Sequence, residues 1–164
     1  MTTRLRTNPL NTTVVLVYAP ISAYDDEHIE DFYKKQQDVT DKVEKKNSLI
    51  RYSDWKAKVG KDAQNDWEDF ISASCNDTSS DRGIHLLEFV SYNMMLSSAL
   101  GDHKASGRWT WHARNGQHHQ TDYILVQRRH SSGVNRTKTR TFRGADVGSD
   151  HDLLVFFVWK WHVF

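Results

Sequence analysis

Unbroken runs of apolar and β-branched residues mark the candidate strands of the chain. The strongest run covers residues 13–18 and ends at Ala19-Pro20. Because no polar residue alternates within it, this run is typical of a strand buried on both faces, and the proline ends its hydrogen-bond ladder. Residues 48–52 predict a less regular strand, since Arg51 interrupts the run. Further strands are predicted at residues 109–111, 122–126 and 153–158.

Apolar residues at helical spacing predict two helices between these strands. The first follows a candidate N-cap at Ser22 or Asp25 and extends for about five turns. Its inward positions are Ile29, Phe32, Tyr33, Gln36, Val39 and Val43. The second helix begins at Asp81 or at Arg82-Gly83. Its inward positions are Ile84, Leu86, Leu87, Val90, Ser91 and Met94.

The remaining segments complete an α/β pattern with one core. Residues 61–80 are polar and poorly patterned, which indicates an excursion loop. Asn115-Gly116 is a strong signal for a hairpin turn. Strand, helix, strand, loop, helix and several strands in this order favour an α/β fold. A chain of 164 residues is long enough for one domain and too short to expect two.

Composition and charge restrict the function classes further. With 26% charged and 38% hydrophobic residues, the composition is typical of a globular protein. The net charge of +1 gives no overall signal of nucleic-acid binding. A local signal exists at residues 128–143, which contain six Arg or Lys and no Asp or Glu. The single cysteine, Cys75, excludes an internal disulfide framework. No run reaches membrane-spanning length and no secretion signal is evident, so we expect an intracellular protein without a membrane partner.

Polar residues at the predicted strand ends supply the candidate chemistry. Asp54, Asp122 and the pair Asp150-His151 all occupy such positions, where layered α/β proteins assemble ligand sites. Carboxylate oxygens suit Mg²⁺, and an imidazole oriented by a carboxylate can stabilise a phosphoryl oxygen. The set therefore favours metal-assisted hydrolysis, although an isolated Asp-His pair before a strand is more often a polar turn.

Two other chemistries find weaker support. Cys75 has no histidine near it in the sequence, and no Gly-x-Ser-x-Gly elbow occurs, which argues against nucleophilic catalysis. A zinc site could be suggested by three histidines, His112, His118 and His119. They lack cysteine partners and a recognisable ligand spacing. Neither chemistry is favoured.

An ordered set of motifs carries a family resemblance. The set is Val17-Tyr18-Ala19-Pro20, Asp54-Trp55-x-Ala57, Arg82-Gly83, Trp109-Thr110-Trp111, Asp122-Tyr123-Ile124-Leu125 and Ser149-Asp150-His151. It resembles the endonuclease/exonuclease/phosphatase superfamily and, within it, the endonuclease domain of RTE-type non-LTR retrotransposons. The resemblance runs from about Val14 to the end of the last strand, and it implies the C-terminal part of a four-layered α/β sandwich.

The resemblance also implies an activity, a metal and roles for individual residues. It implies hydrolysis of DNA phosphodiesters with Mg²⁺ or Mn²⁺. By resemblance, Asp54 orients or deprotonates the attacking water, Asp150 helps to hold the metal, and His151 contacts the scissile phosphate. Asp122 would hold His151, and Tyr18 would approach the phosphate. A phosphate-contacting patch beside the site is expected from Arg128, Arg129, Arg136, Lys138 and Arg140.

Several departures from the family pattern predict a weakened site. Only about a dozen residues precede Val14, so residues 1–164 are expected to form a single, N-terminally truncated domain without the family's main metal-binding glutamate. Lys56 stands where the family has an asparagine, and its cation would pair with Asp54 in place of metal. Ser53 and Thr121 replace a glycine and an apolar residue. The short spacing from His119 to Asp122 also predicts a register shift in that strand.

The sequence therefore predicts an endonuclease of retrotransposon origin with lost or impaired activity. One alternative is a true nuclease whose first half is missing only from this gene model. The other is a non-enzymatic domain that binds DNA or a protein. A protein partner is expected to cover the apolar sheet face that a partial sandwich exposes, and the nucleus is where the domain would meet DNA.

Overall fold

The structure is a computed structural model. It describes residues 1–8, 10–21, 23–68, 70, 78–97, 109–142 and 148–158, with backbone alone for 96–97, 131–142 and 156–158. The strands are β1 Thr2–Leu5, β2 Thr12–Tyr18, β3 Ser48–Asp54, β4 Met95–Ser97, β5 Trp111–His112, β6 His118–His119, β7 Asp122–Gln127, β8 Val134–Phe142 and β9 Leu153–Val158. The helices are α1 Asp26–Lys42 and α2 Asp81–Tyr92, with 3-10 turns at Lys61–Ala63 and Arg128–Gly133.

A five-stranded mixed sheet in the order β1-β2-β3-β7-β4 forms the centre of the fold. β2 and β3 are parallel and are joined through α1, which is the crossover that parallel strands require. The neighbouring pairs β1–β2, β3–β7 and β4–β7 are antiparallel. Tyr18 pairs with Asp54, and Asp54 pairs with Asp122, so three predicted site residues lie side by side at one end of the sheet.

Both predicted helices are present, and their capping residues explain where they begin. The Asp25 side chain accepts a hydrogen bond from the His28 backbone N–H, and Ser80 does the same for Gly83. Ser22, the other candidate cap, lies outside the described residues, as does Cys75. The predicted inward face of α2 is wrong at one end, because Met94 is 54% exposed and follows the helix with a positive φ of 47°.

The main core lies between the two helices and one face of the sheet. It includes Val15, Val17, Leu49, Trp55, Leu86, Leu87, Val90, Tyr123 and Leu125. Arg51, which seemed to weaken the β3 pattern, is fully buried on this face. Its guanidinium donates to the Gln36 carbonyl at 2.8 Å and to Thr40 Oγ1 at 2.6 Å, so α1 supplies the acceptors that a buried arginine needs.

The opposite face of the sheet is covered over β3 and β7 and open over β2. Ile50, Ile124 and Val126 pack with Leu154 of β9. On β2, however, Leu16 is 49% exposed and Tyr18 is 69% exposed. The prediction that β2 is buried on both faces is therefore wrong, since its residues alternate between the helical core and solvent.

Two hairpins flank the sheet. β5 and β6 pair across the predicted Asn115-Gly116 turn, where Gly116 has a φ of 82°. β8 and β9 pair with an irregularity between Asn135 and Arg140. The sequence predicted neither β8 nor the short strand β4. No helix in the described ranges has both the length and the apolar character needed to cross a membrane.

Candidate active site

The end of the sheet and the turn before β9 enclose a cleft of about 940 Å³. Tyr18, Asp54 and Asp122 reach it from adjacent strands, and Asp150 and His151 reach it from the turn. All five residues predicted as catalytic or metal-binding therefore line one cavity.

Asp122 and His151 form the best-defined pair in the cleft. His151 Nδ1 lies 3.0 Å from Asp122 Oδ2, and His151 Nε2 lies 3.7 Å from Asp54 Oδ2. The imidazole is thus placed between two carboxylates, with Nδ1 suited to donate to Asp122. The predicted register shift of β7 is wrong, because Asp122 pairs directly with Asp54 and its side chain faces the cleft.

The segment before Asp122 is fixed by a buried threonine. The Thr110 hydroxyl accepts hydrogen bonds from the backbone N–H groups of Thr121 and Asp122 at 3.0 and 3.1 Å. Thr121 Oγ1 in turn lies 3.3 Å from Asp122 Oδ2. These contacts hold the carboxylate in place and show why a polar residue is accommodated at position 121.

Burial dominates the electrostatics of this pair. It raises the pKa of Asp122, although the hydrogen bonds from His151 and Thr110 act in the opposite direction. Burial also raises the pKa of Tyr52, with the charges of Asp122 and Asp54 adding to the shift. Sequence reasoning did not assign Tyr52 to the site. It lies two residues before Asp54 on β3 and therefore faces the same side, which is the signal that would have found it.

The β5–β6 hairpin positions Asp150. The Trp111 indole N–H donates to Asp150 Oδ2 at 2.9 Å, and this bond lowers the pKa of the carboxyl. Backbone bonds join the same segments, from His112 N to the Asp150 carbonyl and from Asp152 N to the Thr110 carbonyl. Trp111 belonged to the recognised motif, but its contact with Asp150 could not be inferred from spacing, because 39 residues separate them.

Lys56 also lines the cleft. Its Nζ lies 2.5 Å from Asp54 Oδ2 and 5.3 Å from the centre of the Tyr18 ring. Partial burial acts against the ammonium, yet the hydrogen bond and negative charge of Asp54 raise the pKa of Lys56 overall. Lys58 and Arg82 also line the cavity, so cations form part of its wall.

Comparisons with known proteins place this geometry in context. No protein-family model matches the chain. Over 154 residues, or 93% of the chain, it is 31% identical to craniofacial development protein 2 of Bos taurus and 30% identical to that of Tragulus javanicus. These alignments cover 25% and 26% of the two relatives. The chain thus spans about a quarter of their length.

A solved structure shows the fold. The endonuclease domain of TRAS1, a telomere-specific non-LTR retrotransposon, superposes with a TM-score of 0.65 at 19% identity, covering 96% of this chain and 62% of that one. The chain therefore has an endonuclease-like fold. The predicted α/β class and partial fold are thereby confirmed.

The side chains of this endonuclease-like domain do not fit a divalent metal as they stand. Within the described ranges, no group of three His, Cys, Asp or Glu residues is arranged to hold a metal ion. One oxygen of each carboxylate already has a partner. Asp54 Oδ2 pairs with Lys56, Asp122 Oδ2 with His151, and Asp150 Oδ2 with the Trp111 indole N–H. A hard dication such as Mg²⁺ requires several such oxygens at once. The binding of Mg²⁺ or Mn²⁺ that the family resemblance implies therefore stays a prediction.

The basic residues of the endonuclease-like domain do not all lie where expected. Arg128 and Arg129 follow the end of β7 remote from Asp122, so they do not lie beside the cleft as predicted. Arg129 donates to Gln127 Oε1 at 3.0 Å and to the Asn47 carbonyl at 3.4 Å. The remaining predicted contacts, Arg136, Lys138 and Arg140, lie on β8, where the structure describes the backbone alone.

Proposed function

We propose that the chain is a nuclease-like domain that binds a DNA phosphate in the cleft and hydrolyses it poorly or not at all. The observation that carries this proposal is the Lys56–Asp54 ion pair beside the Asp122–His151 pair. The Asp122–His151 pair holds an imidazole where it could contact a phosphate oxygen. The Lys56–Asp54 pair neutralises the carboxylate that would prepare the attacking water.

The charges of the cleft support phosphate binding. Lys56 and a protonated His151 would donate hydrogen bonds to phosphate oxygens, and such charge-assisted bonds are the strong ones. Tyr18 is 69% exposed beside Lys56, so its hydroxyl is accessible to the same ligand. The same cations would stabilise negative charge that develops during hydrolysis. Without a free carboxylate to orient the attacking water, that stabilisation accelerates hydrolysis only slightly.

Plasmid nicking tests the proposal directly. The chain and its Asp150→Ala variant would be assayed with supercoiled plasmid in Mg²⁺ and in Mn²⁺, and DNA binding would be measured in parallel by fluorescence anisotropy. We expect binding that weakens with salt and nicking at background level in both proteins. Robust nicking that disappears in Asp150→Ala would overturn the impaired-enzyme proposal.

A second candidate is non-enzymatic DNA binding through β8. It is favoured by Arg136, Lys138 and Arg140, which occupy alternate positions of one strand. The triple variant Arg136→Gln, Lys138→Gln and Arg140→Gln should lose most of the salt-dependent binding if this surface carries it. Binding lost in Lys56→Asn but kept in the triple variant would assign the contact to the cleft instead.

Two further parts of the expected function remain proposals. The exposed Leu16 and Tyr18 on β2 support a protein partner on this face. Nuclear location would follow from DNA binding. Localisation of the tagged full-length product would test the second point.

A further inference from the structure

The β5–β6 hairpin brings two imidazoles together outside the candidate active site. His112 and His118 are directly paired across the strands, and the Asn115-Gly116 turn fixes this register. His112 Nδ1 lies 2.6 Å from His118 Nδ1, with the ring planes at 75°. The Trp109 ring stacks on His118 at a centroid distance of 4.9 Å. The two nitrogens are thus held next to each other by backbone pairing and by an aromatic neighbour.

Two ring nitrogens at this distance can hold one proton or one metal ion between them. If neither carries a proton, their lone pairs repel, and if both do, their N–H groups collide. A single proton satisfies the pair, and a metal ion that bonds to imidazole nitrogen can take the proton's place. The pair therefore offers two neighbouring nitrogen ligands.

Asp152 contacts the second ring nitrogen of His112, as carboxylates usually do for metal-bound histidines. His112 Nε2 lies 2.9 Å from Asp152 Oδ2. This oxygen is buried and accepts no hydrogen bond within the described part of the chain, so its approach to His112 is a contact between charges. A proton on Nε2 facing the carboxylate leaves the Nδ1 lone pair directed at His118. The negative charge of the carboxylate favours a proton on the facing nitrogen and raises the basicity of the ligating nitrogen.

We propose that His112 and His118 bind one transition-metal dication of the class that prefers imidazole, with Zn²⁺ as the reference ion and Asp152 as the positioning residue. Zinc–nitrogen bonds of about 2.0–2.1 Å require the two Nδ1 atoms to move apart slightly, which side-chain rotation at the exposed His118 permits. Water would complete the coordination, consistent with the finding that no three-residue ligand group occurs in the described ranges.

This site differs from a zinc site formed by all three histidines of the segment, His112, His118 and His119. His119 takes no part, because its ring stacks on Trp111 at a centroid distance of 5.8 Å. The site uses nitrogen ligands, so it does not depend on Asp54, Asp150 or a hard cation. It does connect to the cleft, since the His112 backbone N–H donates to the Asp150 carbonyl at 2.9 Å.

Calorimetric titration of the full chain with ZnCl₂ tests the proposal. We expect one ion per chain, no binding in His118→Ala and none in His112→Ala. His28→Ala is the matched control, because His28 also contacts a carboxylate, Asp25, on the surface, and this variant should bind as the parent does. Cys75→Ser separates a thiol site from the histidine pair and should also leave binding intact. Asp152→Asn should weaken binding by about tenfold or more.

Amide hydrogen exchange localises the ion. Zinc should slow exchange at the His112 N–H in the parent and leave it unchanged in His118→Ala. Absence of binding in the parent, or stoichiometric binding that survives His118→Ala, would overturn the proposal. So would binding that is lost in Cys75→Ser alone. Because His118 is exposed, its replacement spares the core, and unchanged circular dichroism would establish that the variant is folded.

Discussion

Lys56 Nζ lies 2.5 Å from Asp54 Oδ2, and the same oxygen faces His151 Nε2 at 3.7 Å. The ammonium group of Lys56 is therefore closer to this carboxylate oxygen than the imidazole is. Lys56 also has a positive φ of 50°, a conformation that asparagine tolerates better than lysine. The pair thus combines an unfavourable backbone conformation with an ion pair that is only partly exposed. Both properties can be tested by one substitution.

Lys56→Asn should increase the affinity for Mn²⁺. The change removes the cation from Asp54, supplies a neutral oxygen and suits the backbone conformation. Loss of the ion pair and relief of the backbone oppose one another, so we expect the free energy of unfolding to change by no more than about 1 kcal/mol. Isothermal titration with MnCl₂ checks the affinity. Lys58→Asn is the control, since Lys58 lines the same cleft and its removal should leave Asp54 paired. Equal Mn²⁺ affinity in the parent and in Lys56→Asn would contradict the assigned role of the lysine.

Asp122→Asn should change how stability depends on pH. Burial raises the pKa of Asp122 in the folded state above its unfolded value. The folded protein then binds the proton more tightly, so this group makes stability fall as the pH rises from the unfolded pKa through the folded pKa. Asparagine cannot ionise and can still accept from His151. We therefore expect the variant to gain stability relative to the parent as the pH rises from the unfolded pKa of about 4 through the raised folded pKa. Urea unfolding at several pH values measures this, and a parallel pair of curves would refute it.

The residues of the candidate site could be predicted from the sequence because they lie at strand ends, and local patterns indicate where strands end. The apolar runs fixed where β2, β3 and β7 end, and Tyr18, Asp54 and Asp122 meet there. Contacts between distant segments could not be read in this way. The Trp111–Asp150 bond depends on the docking of the β5–β6 hairpin against the turn before β9, and no local pattern encodes that docking.

Burial was the property that the sequence predicted least well. Arg51 seemed to interrupt a strand, yet it is buried because α1 presents a carbonyl and a hydroxyl to its guanidinium. The apolar run of β2 seemed to require two buried faces, yet Leu16 is half exposed. In both cases the outcome depends on which element packs against the strand, and this is a tertiary property.

Gly83→Ala should destabilise the fold through a direct clash. A Cβ at this position would lie 1.9 Å from the Lys58 carbonyl oxygen and 2.8 Å from its carbon. Both are backbone atoms, so α2 would have to move away from the segment that leads out of the cleft. We expect a loss of about 2–3 kcal/mol, measured by urea unfolding. Gly116→Ala is the comparison, because the space there is open and only the φ of 82° opposes a side chain. It should cost about 1–2 kcal/mol. A Gly83→Ala protein as stable as the parent would show that the two segments separate easily.

Arg51→Met should stabilise the protein. The guanidinium is fully buried, its Nε has no hydrogen-bond partner among the residues that the structure describes, and burial lowers the pKa of Arg51 to about 10. Its acceptors do not depend on it, because the Thr40 hydroxyl also donates to the Gln36 carbonyl at 3.0 Å. Methionine fills similar space beside the Phe89 ring without a buried charge. Replacements of this kind are often neutral or stabilising by about 1–4 kcal/mol.

Urea unfolding at pH 7 checks this expectation, and Arg51→Ala provides the control for volume. Alanine also removes the charge but leaves a cavity, so it should lose about 2–4 kcal/mol relative to Arg51→Met. If both variants are less stable than the parent by similar amounts, the guanidinium contributes more through its bonds to α1 than its desolvation costs. Arg51 would then hold α1 against β3, the strand that carries Asp54 into the cleft.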